Sequence, residues 1–206
     1  MTDQKSICVF CASSTPKNES YISTTIQLGT EIALRGYTLV YGGSNRGMMG
    51  TLADSVLHAE KPSKVVGVLP ESMKNYEFQH SNLTELHITD SMHSRKAKME
   101  ALSDGFLVLP GGIGTMEEFF EIYTWLQLNI HSKPIGIINV DGYFDGILMW
   151  LDRACADGIV SNAMRSNLIV AANAKDAMEQ MDLKIKMGKD AVKGQYPLTW
   201  DSTNKA

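Results

Sequence analysis

Three of the four residues at the centre of one loop are glycines. The loop lies between an apolar run and a predicted helix, in the segment Leu109-Pro110-Gly111-Gly112-Ile113-Gly114-Thr115-Met116-Glu117-Glu118. Glycines let the backbone approach a ligand closely, and the N–H groups at a helix N-terminus attract an anion. A tight strand-to-helix turn without a ligand would use similar residues, but it does not require three glycines. The loop therefore predicts a phosphate-binding site.

This loop differs from two familiar nucleotide-binding motifs. A dinucleotide motif starting at Gly112 requires glycine at position 117, where the chain has Glu117. A P-loop requires a Gly-Lys-Ser/Thr run, which the chain lacks. A second glycine-rich segment, residues 41–50, fails both tests. The sequence thus argues against NAD and ATP as ligands.

Glu118, at the end of the first loop, has two interpretations. Thr115 and Glu118 have the spacing of a capping box, with Thr at the N-cap and Glu three residues later. Alternatively, the carboxylate projects beside the bound phosphate, where a negative charge is costly unless cations attend it or it takes part in chemistry. Glu117 and Glu121 are four residues apart, and we expect them on a solvated helix face.

Arg95 is a candidate cation for this site. It shares a predicted helix face with three apolar residues, Met92, Met99 and Leu102. A charge on an apolar face is costly unless it is paired or contacts a ligand, which favours a functional role. For Lys96 and Lys98, a site role and a solvated basic face fit the pattern equally well.

The elements that must position these residues follow from the apolar pattern. Several apolar runs are continuous, which is typical of strands covered on both faces of a parallel sheet. The predicted strands are residues 7–10, 38–41, 65–69, 85–88, 106–109, 135–139 and 168–170. The predicted helices are residues 19–35, 48–60, 92–102, 116–126, 144–157 and 175–186.

This strand–helix alternation predicts an α/β fold with a doubly wound, mostly parallel, Rossmann-like sheet. We expect a single domain over residues 1–186 and a polar tail over 187–206, in which Tyr196, Leu198 and Trp200 could dock on a surface. Ligands of such sheets bind beyond the carboxyl ends of the strands. Ser13 and Ser14 follow the first strand there, and they can bind phosphate or cap the next helix.

Composition excludes several classes of protein. The chain has 206 residues, 44% of them hydrophobic, which is ordinary for a globular protein and excludes a disordered one. A net charge of −4 gives no basic footprint for nucleic acid. No apolar run is long enough to span a membrane, and the first residues do not resemble a signal peptide. Three cysteines and unclustered histidines predict a cytoplasmic protein without a metal site.

The glycine loop from Pro110 to Glu118, with Ser91-Met92-His93-Ser94-Arg95-Lys96-Ala97 upstream, resembles the LOG family. Its members are cytokinin riboside 5′-monophosphate phosphoribohydrolases, often labelled lysine decarboxylases. The similarity extends from about Ser6 to Asp182 and includes residues 41–43, 47–50 and 83–87. The resemblance implies hydrolysis of the N-glycosidic bond of a nucleoside 5′-monophosphate by a homodimer, with no metal or organic cofactor.

The resemblance also implies roles for particular residues. The family's catalytic arginine and glutamate correspond to Arg95 and Glu118. Its substrate contacts carry over to Glu77, Arg95, Lys96, Gly111, Gly112, Ile113, Gly114, Thr115, Met116, Glu117 and Thr124. Our hypothesis is that Glu118 stabilises the positive sugar of the transition state or activates water, while Arg95 binds substrate and offsets charge on the leaving base.

Two other functions compete with this one. A non-catalytic nucleotide sensor would bind phosphate through the same loop, but it would gain little from a carboxylate beside that phosphate. A pyridoxal-phosphate decarboxylase would need a Schiff-base lysine, for which Lys96 or Lys98 could be nominated. Within the hydrolase hypothesis, the sequence leaves open whether the base is isoprenylated adenine or the plain adenine of AMP.

Overall fold

Seven parallel strands form one sheet in the computed structural model, which describes residues 4–76, 79–188, 192 and 194, without the side chains of 74–76. The strands are β1 (Ser6–Phe10), β2 (Thr38–Tyr41), β3 (Val65–Pro70), β4 (Glu85–Thr89), β5 (Gly105–Val108), β6 (Ile135–Ile138) and β7 (Ile169–Ala171). The helices are α1 (Glu19–Leu34), α2 (Gly47–Leu57), α3 (Met92–Ala101), α4 (Ile113–Gln127), α5 (Asp145–Ala156), α6 (Asn162–Asn167) and α7 (Ala174–Met187). Short 3-10 turns lie at Glu71–Tyr76 and Val140–Gly142.

The strand order β4-β3-β2-β1-β5-β6-β7 places a topological switch point between β1 and β5. The chain adds strands outward from β1 to β4 and then returns to add β5 to β7 on the other side of β1. The connections that follow β1 and β5 therefore leave in opposite directions, which opens a crevice at the carboxyl ends of these strands. The glycine loop lies there, directly after β5.

Both faces of the sheet are covered, as the continuous apolar runs predict. Along β1, the side chains of Ile7 and Val9 belong to the core formed with α1, α2 and α7. Cys8 and Phe10 belong to the core on the other face, which contains residues of α3, α4, α5 and α6. Cys11 lies in the first core, so the two cysteines of the Cys-x-x-Cys segment are separated by the sheet.

Of the two interpretations of Glu118, the capping box with Thr115 at the N-cap is wrong. The helix α4 begins at Ile113, earlier than predicted, and its N-cap is Gly112. Thr115 is therefore the third residue of the helix, and Glu118 lies beyond the first turn. The physical reason is that the glycine-rich segment itself adopts helical geometry, which frees the Glu118 side chain from a capping role.

The remaining differences are local. The sequence prediction missed α6, which has 6 residues and is capped by Ser161. The helix α7 runs to Met187, past the predicted start of the tail. Val192 is buried in the core and the N–H of Gly194 donates to Asn129 Oδ1. Tyr196, Leu198 and Trp200 lie outside the described residues, and the boundary between domain and tail stays a prediction.

In the described part of the chain, no helix combines the length and the apolarity that a membrane span requires.

Candidate active site

A cleft of about 560 Å³ lies at the switch point of the sheet. Its lining comes from the segments after β1, β2 and β5 and from the start of α3. A second cavity, of about 810 Å³, lies at the amino ends of β1, β5 and β6, where it is bordered by Lys5, Asp104 and Pro134. Because parallel α/β sheets bind ligands at the carboxyl ends of their strands, the cleft at the switch point is the candidate active site.

Two helices point their N-termini into this cleft. The N-caps of α2 and α4 are Arg46 and Gly112, and neither provides a side-chain hydrogen bond to its helix. By contrast, the side chain of Asn18 accepts a hydrogen bond from the first turn of α1. In the first turn of α2 the N–H of Met49 donates to the Ala12 carbonyl at 3.3 Å. The first backbone N–H groups of α4 receive no side-chain cap, and a phosphate is the anion that such groups bind best.

The glycine at position 111 is required by close packing. A Cβ atom there would lie 2.1 Å from Thr115 Oγ1, well inside contact distance. Gly112, Ile113, Gly114 and Thr115 all line the cleft. The loop predicted to bind phosphate therefore forms one wall of the site.

The deepest polar feature of the cleft is an ion pair between Arg95 and Glu118. Arg95 Nη1 donates to Glu118 Oε1 at 2.8 Å, and Arg95 Nε donates to the Val68 carbonyl at 3.0 Å. Both side chains line the cleft, and only 9% and 12% of their areas are exposed. Burial raises the pKa of the Glu118 carboxyl, and the neighbouring Arg95 opposes this rise without cancelling it.

The helices α3 and α4 position this pair. The Ser91 hydroxyl accepts from the N–H of Ser94, and the Ser94 hydroxyl accepts from the N–H of Ser91, which fixes the first turn of α3 just before Arg95. Glu118 lies on the buried face of α4, next to Phe119. The sequence argument for Arg95, a charge on an apolar face, is thus explained by a buried partner on another helix.

Gly42 packs directly against the guanidinium of Arg95. A Cβ atom at position 42 would lie 2.4 Å from Arg95 Nη2 and 2.9 Å from Met49 Sδ. We expect Gly42→Ala to displace the guanidinium and to lower kcat/KM on the substrate by about tenfold or more, because displacements of about 1 Å in a site have effects of this size or larger. The measurement is steady-state kinetics of the hydrolysis that the family resemblance implies.

Gly146→Ala is the matched control for this substitution. Gly146 lies in α5, and a Cβ atom there would meet no heavy atom within 4 Å. We expect this variant to keep wild-type kinetics. Unchanged kcat/KM in Gly42→Ala would show that the position of Arg95 does not depend on the absence of a side chain at position 42.

Lys96 is buried behind the cleft wall. Its ammonium contacts the carboxylate of Glu117 and lies 2.7 Å from Glu121 Oε2, although Lys96 itself does not line the cleft. Burial lowers the pKa of Lys96, but its hydrogen bonds to the two carboxylates outweigh burial and raise it. The expectation that Glu117 and Glu121 both face solvent is wrong for Glu121, whose side chain is only 21% exposed and holds Lys96.

This environment does not fit a Schiff-base lysine. Such a lysine must become neutral, whereas two carboxylates keep Lys96 charged. Lys98 is half-buried and is not among the residues that line the cleft. The residues present therefore do not support pyridoxal-phosphate chemistry at either position.

The other residues named by the resemblance divide into three groups. Glu117 lines the cleft together with Glu118, Ile113 and Gly114. Gly111, which is buried, and Met116, which is half-buried, do not line the cleft, and Thr124 is exposed on α4 and does not line it either. Glu77 lies outside the described residues.

The sequence analysis assigned no role to several residues that line the cleft. These are Cys11, Ala12, Gly42, Ser44, Arg46, Met49, Leu69 and Met73. Most of them follow β1, β2 or β3, so their place in the chain after a parallel strand was the signal that could have identified them. Ser13 and Ser14 also line the cleft, and neither caps the next helix, whose N-cap is Asn18.

The fold and the site define a Rossmann-like α/β protein with a cleft at the switch point of its sheet and a buried carboxylate–guanidinium pair. A family model described as "Possible lysine decarboxylase" matches residues 49–181. The chain is 42% identical over 178 residues to a cytokinin riboside 5′-monophosphate phosphoribohydrolase of Arabidopsis thaliana, LOG7, covering 86% of this chain and 81% of the relative. It is also 36% identical over 200 residues to LOG2 of the same plant, covering 97% and 92%. The chain belongs to the LOG family.

Solved structures with low sequence identity share the fold. A molybdenum cofactor binding protein from Rippkaea orientalis superposes with a TM-score of 0.66 at 21% identity, over 89% of this chain and 99% of that one. A Moco carrier protein from Chlamydomonas reinhardtii gives a TM-score of 0.65 at 18% identity, over 87% and 96%. These similarities concern the fold alone.

Proposed function

We propose that the protein hydrolyses the N-glycosidic bond of a nucleoside 5′-monophosphate, releasing the free base and ribose 5-phosphate. The observation that carries this proposal is the Arg95–Glu118 pair, buried in a cleft whose wall is a glycine-rich helix N-terminus. The relatives named as phosphoribohydrolases support it. A protein that only bound nucleotides would gain nothing from a buried carboxylate near the phosphate, because like charges repel.

The reaction passes through a sugar that carries positive charge at its anomeric carbon. The Glu118 carboxylate stabilises this charge or accepts a proton from the attacking water, whose oxygen forms the new bond to that carbon. The electron pair of the broken bond leaves with the base, which then takes up a proton. Arg95 offsets the negative charge that develops on the base.

The phosphate group supplies binding energy at a distance from the bond that breaks. Backbone N–H groups at the start of α4 hold the phosphate, and this holds the ribose against the buried pair. Positioning of this kind lowers the activation barrier for cleavage of the glycosidic bond, although the phosphate itself takes no part in the reaction. The glycine loop and the ion pair therefore have separate roles, in binding and in chemistry.

We propose cytokinin riboside 5′-monophosphates as substrates, with AMP as the alternative. The apolar side chains of Met49, Leu69, Met73 and Met92 line the cleft and can contact an isoprenyl group on the base. The relatives are named for the same class of substrate. The deciding experiment compares release of free base from isopentenyladenosine 5′-monophosphate and from AMP. If the folded protein releases free base from neither nucleotide, the proposed hydrolysis is wrong and the alternative, a non-catalytic nucleotide sensor, is favoured.

We also propose that the protein acts as a homodimer. Ile113, Glu117, Phe120 and Thr124 are spaced along one face of α4, which ends at the C-cap Leu128. Phe120 packs edge-on against Trp150 of α5 with ring centroids 5.7 Å apart. Ile113 is 92% exposed and Trp150 53%, which is a large apolar exposure for a monomer surface. Thr124 would then meet its substrate across the interface. Light scattering should give a dimer mass, and Trp150→Glu should reduce it to that of one chain.

Two further proposals concern the cellular compartment and the class of ligand. We propose a cytoplasmic location, because Cys8 and Cys11 are free and buried in different cores, as a reducing compartment allows. We propose a small nucleotide as the ligand rather than a nucleic acid, because the net charge is −4.

The raised pKa of Glu118 predicts how activity depends on pH. In the proposed mechanism the ionised carboxylate is the active form. Burial raises its pKa, so activity should be complete above that value and should fall as pH falls through it, at a higher pH than for an ordinary carboxyl group. The measurement is kcat/KM for base release as a function of pH. A profile that is flat down to the ordinary pKa of glutamate would contradict this role.

A further inference from the structure

The loop that lines the cleft is held from behind by a tyrosine. The hydroxyl of Tyr143 donates to the carbonyl oxygen of Gly111 at 2.6 Å. Tyr143 is 32 residues away in the chain and is not one of the residues that line the cleft. Neither the family motifs nor the sequence pattern assigns it a role.

The turn that carries Tyr143 is held in one conformation by several local contacts. Asp141 adopts a φ of 51°, which is unfavourable for a residue with a side chain. Asn139 holds both sides of the turn, since its Oδ1 accepts from the N–H of Phe144 at 2.7 Å and its Nδ2 donates to Asp145 Oδ1 at 2.8 Å. A turn with this many constraints fixes the direction of the next side chain.

Two further contacts fix the ring of Tyr143 itself. Tyr21 of α1 packs edge-on against it with ring centroids 5.3 Å apart, and Phe144 does so at 4.9 Å. Phe144 is almost completely buried. Although 43% of Tyr143 is exposed, these two rings orient its hydroxyl towards the Gly111 carbonyl.

This hydrogen bond determines where the next N–H points. The C=O and N–H groups of a trans peptide point in opposite directions. The Gly111 carbonyl points towards Tyr143, so the N–H of Gly112 in the same peptide points away from Tyr143. Gly112 lines the cleft and is the N-cap of α4. Without a side chain at either residue, this peptide would otherwise rotate easily.

We infer that Tyr143 is a positioning residue for phosphate binding: its hydroxyl holds the Gly111–Gly112 peptide so that the Gly112 N–H faces the substrate's phosphate. This inference rests on the proposed function for the identity of the ligand. Beyond the proposed function, it assigns to Tyr143, which lies outside the cleft, a role in the affinity for the phosphate group and none in the cleavage step.

The test is Tyr143→Phe, which removes the hydroxyl and keeps the ring contacts. We expect the dissociation constant for ribose 5-phosphate, measured by calorimetry, to rise about five- to tenfold, the value of one hydrogen bond. KM for the nucleoside 5′-monophosphate should rise by the same factor, with kcat within about twofold of wild type, because the other N–H groups at the start of α4 still position the bound substrate and only one contact to the phosphate is weakened. Cleavage of the nucleoside without its phosphate should not change.

Tyr123→Phe is the matched control. The hydroxyl of Tyr123 also donates to a backbone carbonyl, that of Met164 at 2.8 Å, but this bond lies away from the cleft. We expect it to leave the affinity for ribose 5-phosphate unchanged. An equal loss of affinity in both variants, a loss in kcat alone, or unchanged binding in Tyr143→Phe would overturn the inference. If the wild-type protein binds ribose 5-phosphate but cleaves no nucleotide, the proposed function fails while the binding comparison still decides the role of Tyr143.

Discussion

Glu118→Gln should lower kcat for base release by a factor of about 10²–10⁴, with a much smaller effect on substrate binding. The amide keeps the size of the side chain and can still accept a hydrogen bond from Arg95 Nη1, which now lies 2.8 Å from Glu118 Oε1. It carries no charge to stabilise the positive sugar and cannot accept a proton from water. The measurement is turnover of isopentenyladenosine 5′-monophosphate under saturating conditions.

A second glutamate provides the control for this substitution. Glu100 also forms an ion pair, with Lys133 Nζ 2.5 Å from its Oε1, but it borders the cavity at the opposite edge of the sheet. Glu100→Gln should keep full turnover, with both variants checked for folding by circular dichroism. Near-normal turnover in Glu118→Gln would show that Glu118 only supports the structure around Arg95, and the proposed chemistry would be wrong.

The sheet was predictable from the sequence because most of its strands are short apolar runs; β4, at the edge of the sheet, is the exception. Strands buried on both faces must be apolar throughout, and residues such as Val65–Pro70 show this directly. All seven strands were predicted to within one residue at each end. The 6-residue helix α6 was missed because a segment of that length has too few turns for a helical apolar pattern to show.

The site was predictable only in part, because several of its contacts are long-range. Arg95 could be identified from its own helix, since a charge among apolar residues needs a partner. The sequence assigned Arg95 and Glu118 to one site, but it could not predict their direct contact, because Glu118 lies 23 residues away on another helix. The local pattern at Thr115 and Glu118 suggested a capping box, but the glycines before it start the helix earlier.

Two other residues illustrate the same limit. Glu121 has the spacing of a solvated residue, yet it contacts Lys96, which lies 25 residues earlier in the chain on α3. Tyr143 belongs to the connection between β6 and α5, and only the folded chain brings it to Gly111. Spacing along a helix predicts which residues share a face, but the element that packs against that face follows from the sheet order.

Arg95→Met should cost about 3–5 kcal/mol of unfolding free energy at neutral pH. This change removes the cation but leaves the Glu118 carboxylate in place, with only 12% of its side chain exposed. An unpaired carboxylate at this depth is costly because it has lost water and gained no compensating charge. The measurement is urea denaturation followed by circular dichroism. As a control, Arg165→Met breaks an ion pair with Asp152, whose side chain is 59% exposed, and should cost about 1 kcal/mol or less.

The second substitution that tests this explanation is Glu118→Leu in the same chain. With both charges gone, the double variant should regain most of the stability lost in Arg95→Met, because no ion remains buried without a partner.

The pH dependence of the unfolding free energy gives an independent check. The folded-state pKa of Glu118 is raised by burial, and loss of Arg95 raises it further, so protonation favours the folded form. The deficit of Arg95→Met relative to wild type should therefore be larger at about pH 8 than at about pH 5. A deficit that is independent of pH and persists in the double variant would mean that Arg95 stabilises the fold through its bond to the Val68 carbonyl and its packing, and that the charge of Glu118 has little part in it.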